Sequence, residues 1–544
     1  MPLPTHDVSR ALDWPPPHVA TYVRQAREWG AWWAGDVELL RKHSAERRFW
    51  HRQALADSRT PQGRQSRSMH ASLAADIVST SADLLFGDEI SLTIPPPEAT
   101  GEAGEHVDTD TDGLAEGDAS VAQEAAAVEV TQARLDELRD ELDLDGTMLE
   151  SAEVAAALGG AWLRPAWNLT IADRPLLTVV DPEYAVPEYR MGVLVAVTFW
   201  EEVGTESGRV WRHLERHEVV HLDTDDGPVA QGVILHGLYL GDKDTLGKPK
   251  ALTQHAATAG LDELVPVPEA AGPIMPRYMP NVLPNRKSRR LPVGRSDFDG
   301  AEDELDALDE VWSSLLRDIR LGVARVFAPE GTLQRVGPGA GAGKTLDVDA
   351  ELIVETDTDP DKTGARVALT QGAIRDTSHL ATVRALTEAA VSAAGYAPAT
   401  FGLGVDGAAE SGTARAIRER KTFRTLERKR RYAARAWADV CLALLAIDAE
   451  ILGRADIVPM RPRVGWPDVT AEPRTTAERL QMLRAAQAIS VRNAVREAQP
   501  DLDETEVDAE VELIMSELGV SDPDALLLNN PGGGLPDPDL EGAA

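Results

Sequence analysis

Two long helical stretches separated by a glycine-rich gap constrain this chain more than any other feature. The first, Gln371–Ala394, is rich in Ala and Leu, with HLATVRALTEAAVSAAGY at its end. The second, Ser411–Leu452, begins strongly basic and ends in the apolar run WADVCLALLAI. The gap, Ala397–Gly412 (APATFGLGVDGAAESG), holds Gly402, Gly404, Gly407 and Gly412. Glycine takes backbone angles closed to other residues, so the pattern predicts a pliant loop held at both ends by helices.

With 544 residues the chain exceeds one compact domain, and 43% hydrophobic content with twelve Trp is enough for several cores. The formal net charge is −35, from 90 acidic against 55 basic residues. Such a chain is poorly suited to gripping nucleic acid by counterion release, because each phosphate contact needs a cation. It is acceptable for a protein that does not have to hold nucleic acid. Cys441 is the single cysteine and lies in an apolar helical run, so it reads as a small core hydrophobe, and one chain can build neither a disulfide nor a cysteine-based zinc site. The start, MPLPTHDVSRALDWPPP, lacks a secretory layout, and the run Trp437–Ile447 is too short to span a bilayer. A soluble protein made inside the cell, with no membrane partner, is expected.

The pattern along the chain is α+β, mainly α. His18–Gln53 is helical and carries Trp29, Trp32, Trp33 and Trp50, the first three on one buried stripe. A helix over Ser66–Phe86 stops at Gly87. Residues 95–120, acidic and rich in Pro and Gly, predict a disordered insertion. Helices follow at Val121–Leu142 and Thr147–Leu158, then an antiparallel meander: LLTVVD, VLVAVTFWEEV, RVWRHLERHEVVHLD and PVAQGVIL. Asp299–Phe327 predicts the best helix, with Leu305, Leu308, Trp312, Leu315, Ile319 and Val326 at three- and four-residue spacing. Its acidic first half and its Arg317, Arg320 and Arg325 complement the helix dipole. Strand-like pieces fill Pro329–Leu369; helices at Thr475–Ala488, Ser490–Ala498 and Glu504–Leu518 precede a loose tail from Ser521.

Two motifs suggest enzymes. His217-Glu218-Val219-Val220-His221 is a literal HExxH, whose zinc chemistry needs both histidines on one helix face and the glutamate as general base. Its surroundings alternate like a strand, where positions four apart lie about 13 Å apart, too far to chelate one ion. GPGAGAGKT (Gly337–Thr345) has Pro338 where a P-loop needs Gly, and LDVDAELIVET after it reads as strand. Neither a metal nor a cofactor is expected, and no catalytic constellation stands out. The basic stretch Arg415–Arg435 holds eight Arg and two Lys against Glu419 and Glu427. Either acidic surfaces of this chain or a neighbour neutralise it, or it touches phosphate.

Several ordered segments together resemble the portal proteins of tailed double-stranded DNA phages, in their longer, siphovirus-type form. They are SADLLFG at the end of the second helix; Asn285, Gly294, Ser296 and Asp297 in an N…G.SD lead-in; a stem-length helix; the glycine loop before SGTA; and Gly465-Trp466-Pro467-Asp468 followed by a helical segment. The acidic insertion and the long loop around Gly337–Lys344 depart from that pattern.

The resemblance implies a fold of wing, stem, clip and crown. It assigns 1–19 to an N-terminal arm, 20–297 to the wing, 298–327 to a first stem helix, 328–370 to the clip and 371–396 to a second stem helix. A tunnel loop (397–412), a long basic helix with its connection (413–474), a crown (475–520) and a disordered tail (521–544) follow. It further implies no enzyme but a ring of twelve copies at one capsid vertex of the virion, assembled in the host cytoplasm. Partners would be the terminase large subunit, the major capsid and scaffolding proteins, a head–tail adaptor and the passing duplex. Twelve helices about 10 Å apart make a circle roughly 38 Å across at their axes, leaving a bore of roughly 25–30 Å, which admits a duplex. Gly402, Leu403, Gly404, Val405, Asp406 and Gly407 would line the channel. Arg415, Arg418, Lys421, Arg424 and Arg428 would touch DNA or a neighbour, and Leu305, Leu308, Trp312, Leu315 and Ile319 would pack the ring. A zinc protease, or another minor virion protein, is the alternative.

Overall fold

A computed structural model describes residues 3, 12–40, 69–95, 114–224, 227–321, 325–327, 334–335, 344–345, 368–370, 375–403, 412–467, 480–486, 488–499, 507 and 510–514. The chain divides into two compact units, Met1–Trp466 and Pro467–Ala544. Both helices and sheets build the first, so the α+β expectation holds.

Helix α1 (Ala20–Ala34) buries Tyr22, Val23, Ala26, Trp29 and Trp32 along one side and ends at Gly35, whose left-handed φ of 66° a Cβ would oppose. Trp33 is half-buried, so the predicted tryptophan stripe forms; Trp50 lies outside the described residues. Helix α2 (Leu73–Phe86) leads to the short strand β1 (Ser91–Thr93). Helix α3 (Leu114–Glu141) begins seven residues inside the segment expected to be disordered, so that expectation is corrected for 114–120. Alanine, the best helix former, extends through VAQEAAAVEV without a breaker. Helix α4 (Leu144–Leu158) is capped by Asp143, which accepts from the Gly146 amide, and stops at Gly159 (φ 90°).

Strands β2 (Gly160–Ala166) and β3 (Leu176–Val180) pair antiparallel, and β10 (below) joins the other edge of β2. The predicted meander is a six-stranded antiparallel sheet: β4 (Ala185–Arg190), β5 (Val193–Glu206), β6 (Arg209–Thr224), β7 (Gly227–Gly241) and β8 (Lys248–Lys250), with β9 (Leu264–Pro266) also on β7. Period-two patterning gives it two packed faces. Trp200, Leu214 and Tyr239 cover Tyr22 and Val23 of α1, while Val197 and Phe199 pack on Trp162 of β2.

Strand β10 (Arg277–Pro280) precedes helix α5 (Glu302–Leu321). The helix expected to reach Phe327 therefore ends earlier. Its last three predicted residues form β11 (Arg325–Phe327), followed by β12 (Gln334–Arg335), β13 (Lys344–Thr345) and β14 (Ala368–Thr370). Val326 and Phe327 suit an extended chain, and Leu369 and Ala368 lie opposite them in register. Helix α6 (Asp376–Ala394) starts five residues later than expected. It runs antiparallel to α5: Asp318 near the end of α5 accepts from Arg375 (3.0 Å) and meets His379 (3.1 Å) at the start of α6. Helix α7 (Gly412–Glu450) is 39 residues long, and β15 (Arg463–Gly465) returns to pair with β1.

The largest core gathers α2, α4, the first turns of α5, the end of α6 and the second half of α7. Cys441 is fully buried within it, and burial pushes its thiol up to about 12, as its reading as a core residue requires. A buried ion pair ties α3 to α7, with Arg134 Nε 2.6 Å from Asp448. In the second unit, helix α8 (Val491–Ala498) is capped by Ser490 and buries Val491 and Val495 beside Val507. Among the described residues no helix is long and apolar enough to cross a membrane.

Candidate functional site

The N…G.SD segment forms the floor of a buried polar junction. Asn285 Oδ1 accepts from the Lys287 and Ser288 amides (3.0 Å each), and its Nδ2 donates to the Gly294 carbonyl (2.9 Å). Gly294 approaches the end of α4 so closely that a Cβ there would lie 2.0 Å from the Gly159 carbonyl oxygen. Ser296 Oγ and the Asp297 amide both donate to the Ala156 carbonyl (3.0 Å). These bonds aim the Asp297 carboxylate away from α4 and into the space between α2, α6 and α7.

There it accepts three hydrogen bonds, from Asn281 Nδ2 (2.8 Å), Tyr396 Oη (2.8 Å) and Lys429 Nζ (2.6 Å). Lys429 also donates to Ser81 Oγ of α2 (2.6 Å) and to Tyr396 Oη (2.8 Å). All five side chains are shielded from water or nearly so. Burial pushes the Lys429 ammonium below the ordinary lysine range, while the Asp297 charge pulls the other way. Burial, and then the charge of Asp297, raise the Tyr396 phenol well above its ordinary value. Five separate segments are thus held by one ion pair whose remaining donors are satisfied. That is the condition under which a buried pair holds a single arrangement.

The same turns of α7 hold the start of the glycine-rich gap. Gly395, with φ 101°, reverses the chain after α6, and its carbonyl accepts from Thr425 Oγ1 (2.8 Å). The Ala397 amide donates to Thr422 Oγ1 (2.9 Å), which also meets Thr400 Oγ1 (2.8 Å). Lys421 Nζ donates to the Ser392 carbonyl. Residues Pro398–Phe401 make a turn of 3₁₀ helix, with Phe401 edge-on to Tyr396 at 6.1 Å. The pliant loop expected from Ala397 is corrected at its start: Thr422 of α7 bonds Ala397 and Thr400, and the Gly402 and Leu403 amides close the turn on Ala399 and Pro398. Of the predicted channel residues, Gly402 and Leu403 end this turn, and Gly402 has φ 71° with nothing near its Cβ position. Gly404, Val405, Asp406 and Gly407 lie outside the described residues.

On α7, Arg424 and Arg428 are exposed, Arg418 is exposed and Lys421 is engaged as above; the side chain of Arg415 lies outside the described residues. On α5, Leu305, Leu308 and Leu315 are buried, Trp312 is half-buried and Ile319 is 45% exposed. Three of these five residues are therefore covered within one chain, while Trp312 and Ile319 stay partly open, so the chain does not fully cover its own stripe. The covering groups are Val383, Leu386 and Val391 of α6 and the α4 side of the core.

HExxH lies within β6, with His217 opposite Val197 and Ile234. Strand alternation puts Glu218 on the other face from His217, where it pairs with Arg216 (2.7 Å). His217 is buried and bonds Glu215 (2.8 Å), whereas His221 is exposed. No zincin arrangement can form from this geometry. Lys344 and Thr345 sit in strand β13, not at a helix start, so the P-loop lookalike fails as expected.

Sequence reading missed what β6 does carry. His213, Glu215 and His217 alternate along one face; His213 bonds Glu201 (3.0 Å) and stacks on His236 at 5.3 Å. Burial raises Glu215, but the hydrogen bond and charge of His217 outweigh it and hold the carboxyl at about 2. Burial, opposed by the charge of Glu215, lowers His236 to about 4. The period-two spacing of His and Glu was the available signal. Among the described residues no group of His, Cys, Asp or Glu is arranged to hold a metal ion.

Segments on which the portal resemblance rests meet in the interior. Phe86 of LLFG stacks on Trp466 at 6.0 Å, Trp466 Nε1 donates to the Leu85 carbonyl (2.7 Å), and Asp297 reaches Lys429. No model of a known protein family matches this chain, and no curated protein does either.

Proposed function

We propose that this chain is the portal subunit of a tailed double-stranded DNA phage. Twelve copies form a closed ring at one capsid vertex of the virion. The terminase large subunit drives the duplex inward through it, and the genome leaves by the same route. The major capsid and scaffolding proteins surround the ring, and a head–tail adaptor attaches where the clip, β11 to β14, is assigned. The observation that carries this reading is the antiparallel α5–α6 pair tied at one end, through Asp297, Tyr396 and Lys429, to the 39-residue α7, with a glycine-rich segment between α6 and α7. Two stem helices, a loop facing a channel and a long supporting helix are the parts that such a conduit needs. The negative charge suits a wall that must not hold the duplex.

Negative-stain microscopy of the purified protein tests this. Closed rings with a hole of roughly 25–30 Å are expected from helix packing distances. Monomers alone at every concentration, with or without capsid components, would refute it.

A further inference from the structure

The outer face of α7 carries a row of cations that form no ion pair among the described residues. Arg420, Arg424, Arg428, Arg431 and Arg435 follow intervals of four, four, three and four residues. At 100° per residue they fall on one stripe about 22 Å long. The stripe lies opposite the face that buries Thr422, Leu426, Lys429 and Ala433. All five arginines are exposed, and none forms an ion pair with a described residue. Like charges three and four residues apart weaken a helix, and this protein has 90 carboxylates with which it could have paired them. A sixth residue on the same stripe, Ile417, is 68% exposed.

Resting on the reading above, we propose that this stripe is the seam against a carboxylate-rich surface of a second copy of the chain. Charge complementarity supports that occupant. Copies bearing −35 each repel one another on approach, and a concentrated cationic row offsets that repulsion where the copies touch. The guanidinium fork matches a carboxylate with two parallel hydrogen bonds. Ile417 distinguishes a protein from a duplex: an exposed aliphatic group gains from burial against another protein surface and gains nothing from a phosphate backbone. The contact would be heterologous, with the stripe of one copy meeting a different surface of the next, as closure of a ring requires.

The test is a series of full-length variants: R424E/R431E, R424Q/R431Q and R424K/R431K. Assembly is followed by mass photometry across protein and salt concentration, and binding of a 30-base-pair duplex by fluorescence anisotropy. Circular dichroism and melting check the fold, and the Gln pair serves if the Glu pair misfolds. The seam predicts that the Glu pair needs at least about tenfold more protein to assemble, the Gln pair less, and the Lys pair close to wild type. It also predicts that wild-type rings fall apart as salt rises, while duplex affinity changes little across the series. Wild-type and Glu-pair rings forming at the same concentration would overturn the seam and leave the portal reading standing. A large loss of duplex affinity with assembly unchanged would overturn it in favour of phosphate as the ligand. A wild type that never assembles would overturn the portal reading and the seam with it.

Discussion

Replacing Lys429 by Met keeps most of the buried aliphatic stem and removes the charge. Asp297 then keeps Asn281 and Tyr396 as donors but loses the cation 2.6 Å away, inside a site closed to water. Breaking a buried pair from one side costs about 3–5 kcal/mol, because the surviving charge stays buried. The chain has two units, so one global unfolding energy is ill-defined, and local opening is the better measure. Ala397, Thr400, Gly402 and Leu403 have bonded amides in the stretch that follows Tyr396. A local loss of about 3 kcal/mol speeds their hydrogen exchange roughly a hundredfold. D297N/K429M, which removes both charges, should recover much of the protection, since deleting a whole buried pair is often nearly neutral. The pH dependence has a definite sign. The folded pKa of Lys429 lies below its ordinary 10.5, so between the two the unfolded chain binds more protons and wild-type stability rises with pH. K429M lacks that rise. Exchange in K429M within about threefold of wild type, or no recovery in the double variant, would refute the assignment of the junction as the element holding this stretch.

Gly294→Ala should cost several kcal/mol, on the order of an overpacked core or more, because the new Cβ has a carbonyl oxygen 2.0 Å away; loss of soluble protein or a markedly lower Tm checks it. His236 binds its proton near 6.5 when unfolded and near 4 when folded, so acid between those values should remove roughly 3 kcal/mol of stability at most, and His236→Gln should flatten that slope in urea melts at stepped pH. Elemental analysis should find no stoichiometric zinc; one zinc per chain would contradict the strand geometry of His217 and Glu218. Deleting Leu403–Ala408 should leave rings intact but lower DNA packaging or retention, measured as DNA per particle; full-length genomes at normal yield would remove this segment from the channel.

Periodicity made most of the elements legible. Apolar spacing located α4 and α7 to within about three residues, and alternation located β5, β6 and β7. It found α1 and α2 but overran them, since α1 stops at Gly35 where a helix to Gln53 was expected and α2 begins at Leu73 where Ser66 was expected. It failed where a partner distant in sequence decides the outcome. Arg325–Phe327 continues the helical pattern of α5 on paper but pairs with Ala368–Thr370. Ala397–Leu403 reads as free loop, yet on the next helix Thr422 bonds Ala397 and Thr400 within it, and Thr425 bonds Gly395 just before it. Lys429 looked like one more cation among ten. Its position sets it apart, since Leu426 and Ala433 flank it at three- and four-residue spacing on the buried face of α7. A lysine on an apolar stripe needs a buried anion, and the aspartate of the SD pair was the candidate. The HExxH stretch failed in the opposite direction. Its residue types invite a zinc site, but alternation alone already separates Glu218 from both histidines.

The junction and the arginine stripe lie back to back on the same turns of one helix. Residues 421 to 429 of α7 hold the Ser392 carbonyl, Ala397, Gly395, Tyr396 and Asp297 on one side, and present Arg424 and Arg428 on the other. A rigid helix cannot shift one face without the other, and packed interiors respond by switching arrangements, not by yielding smoothly. In the proposed ring, a neighbour pressing on the stripe therefore bears on the residues that fix the start of the glycine-rich segment. Exchange at Ala397–Leu403 should then slow when copies assemble, and it should slow less in R424Q/R431Q rings formed at high protein concentration. Equal protection in monomer and ring would mean that the two faces of α7 act independently.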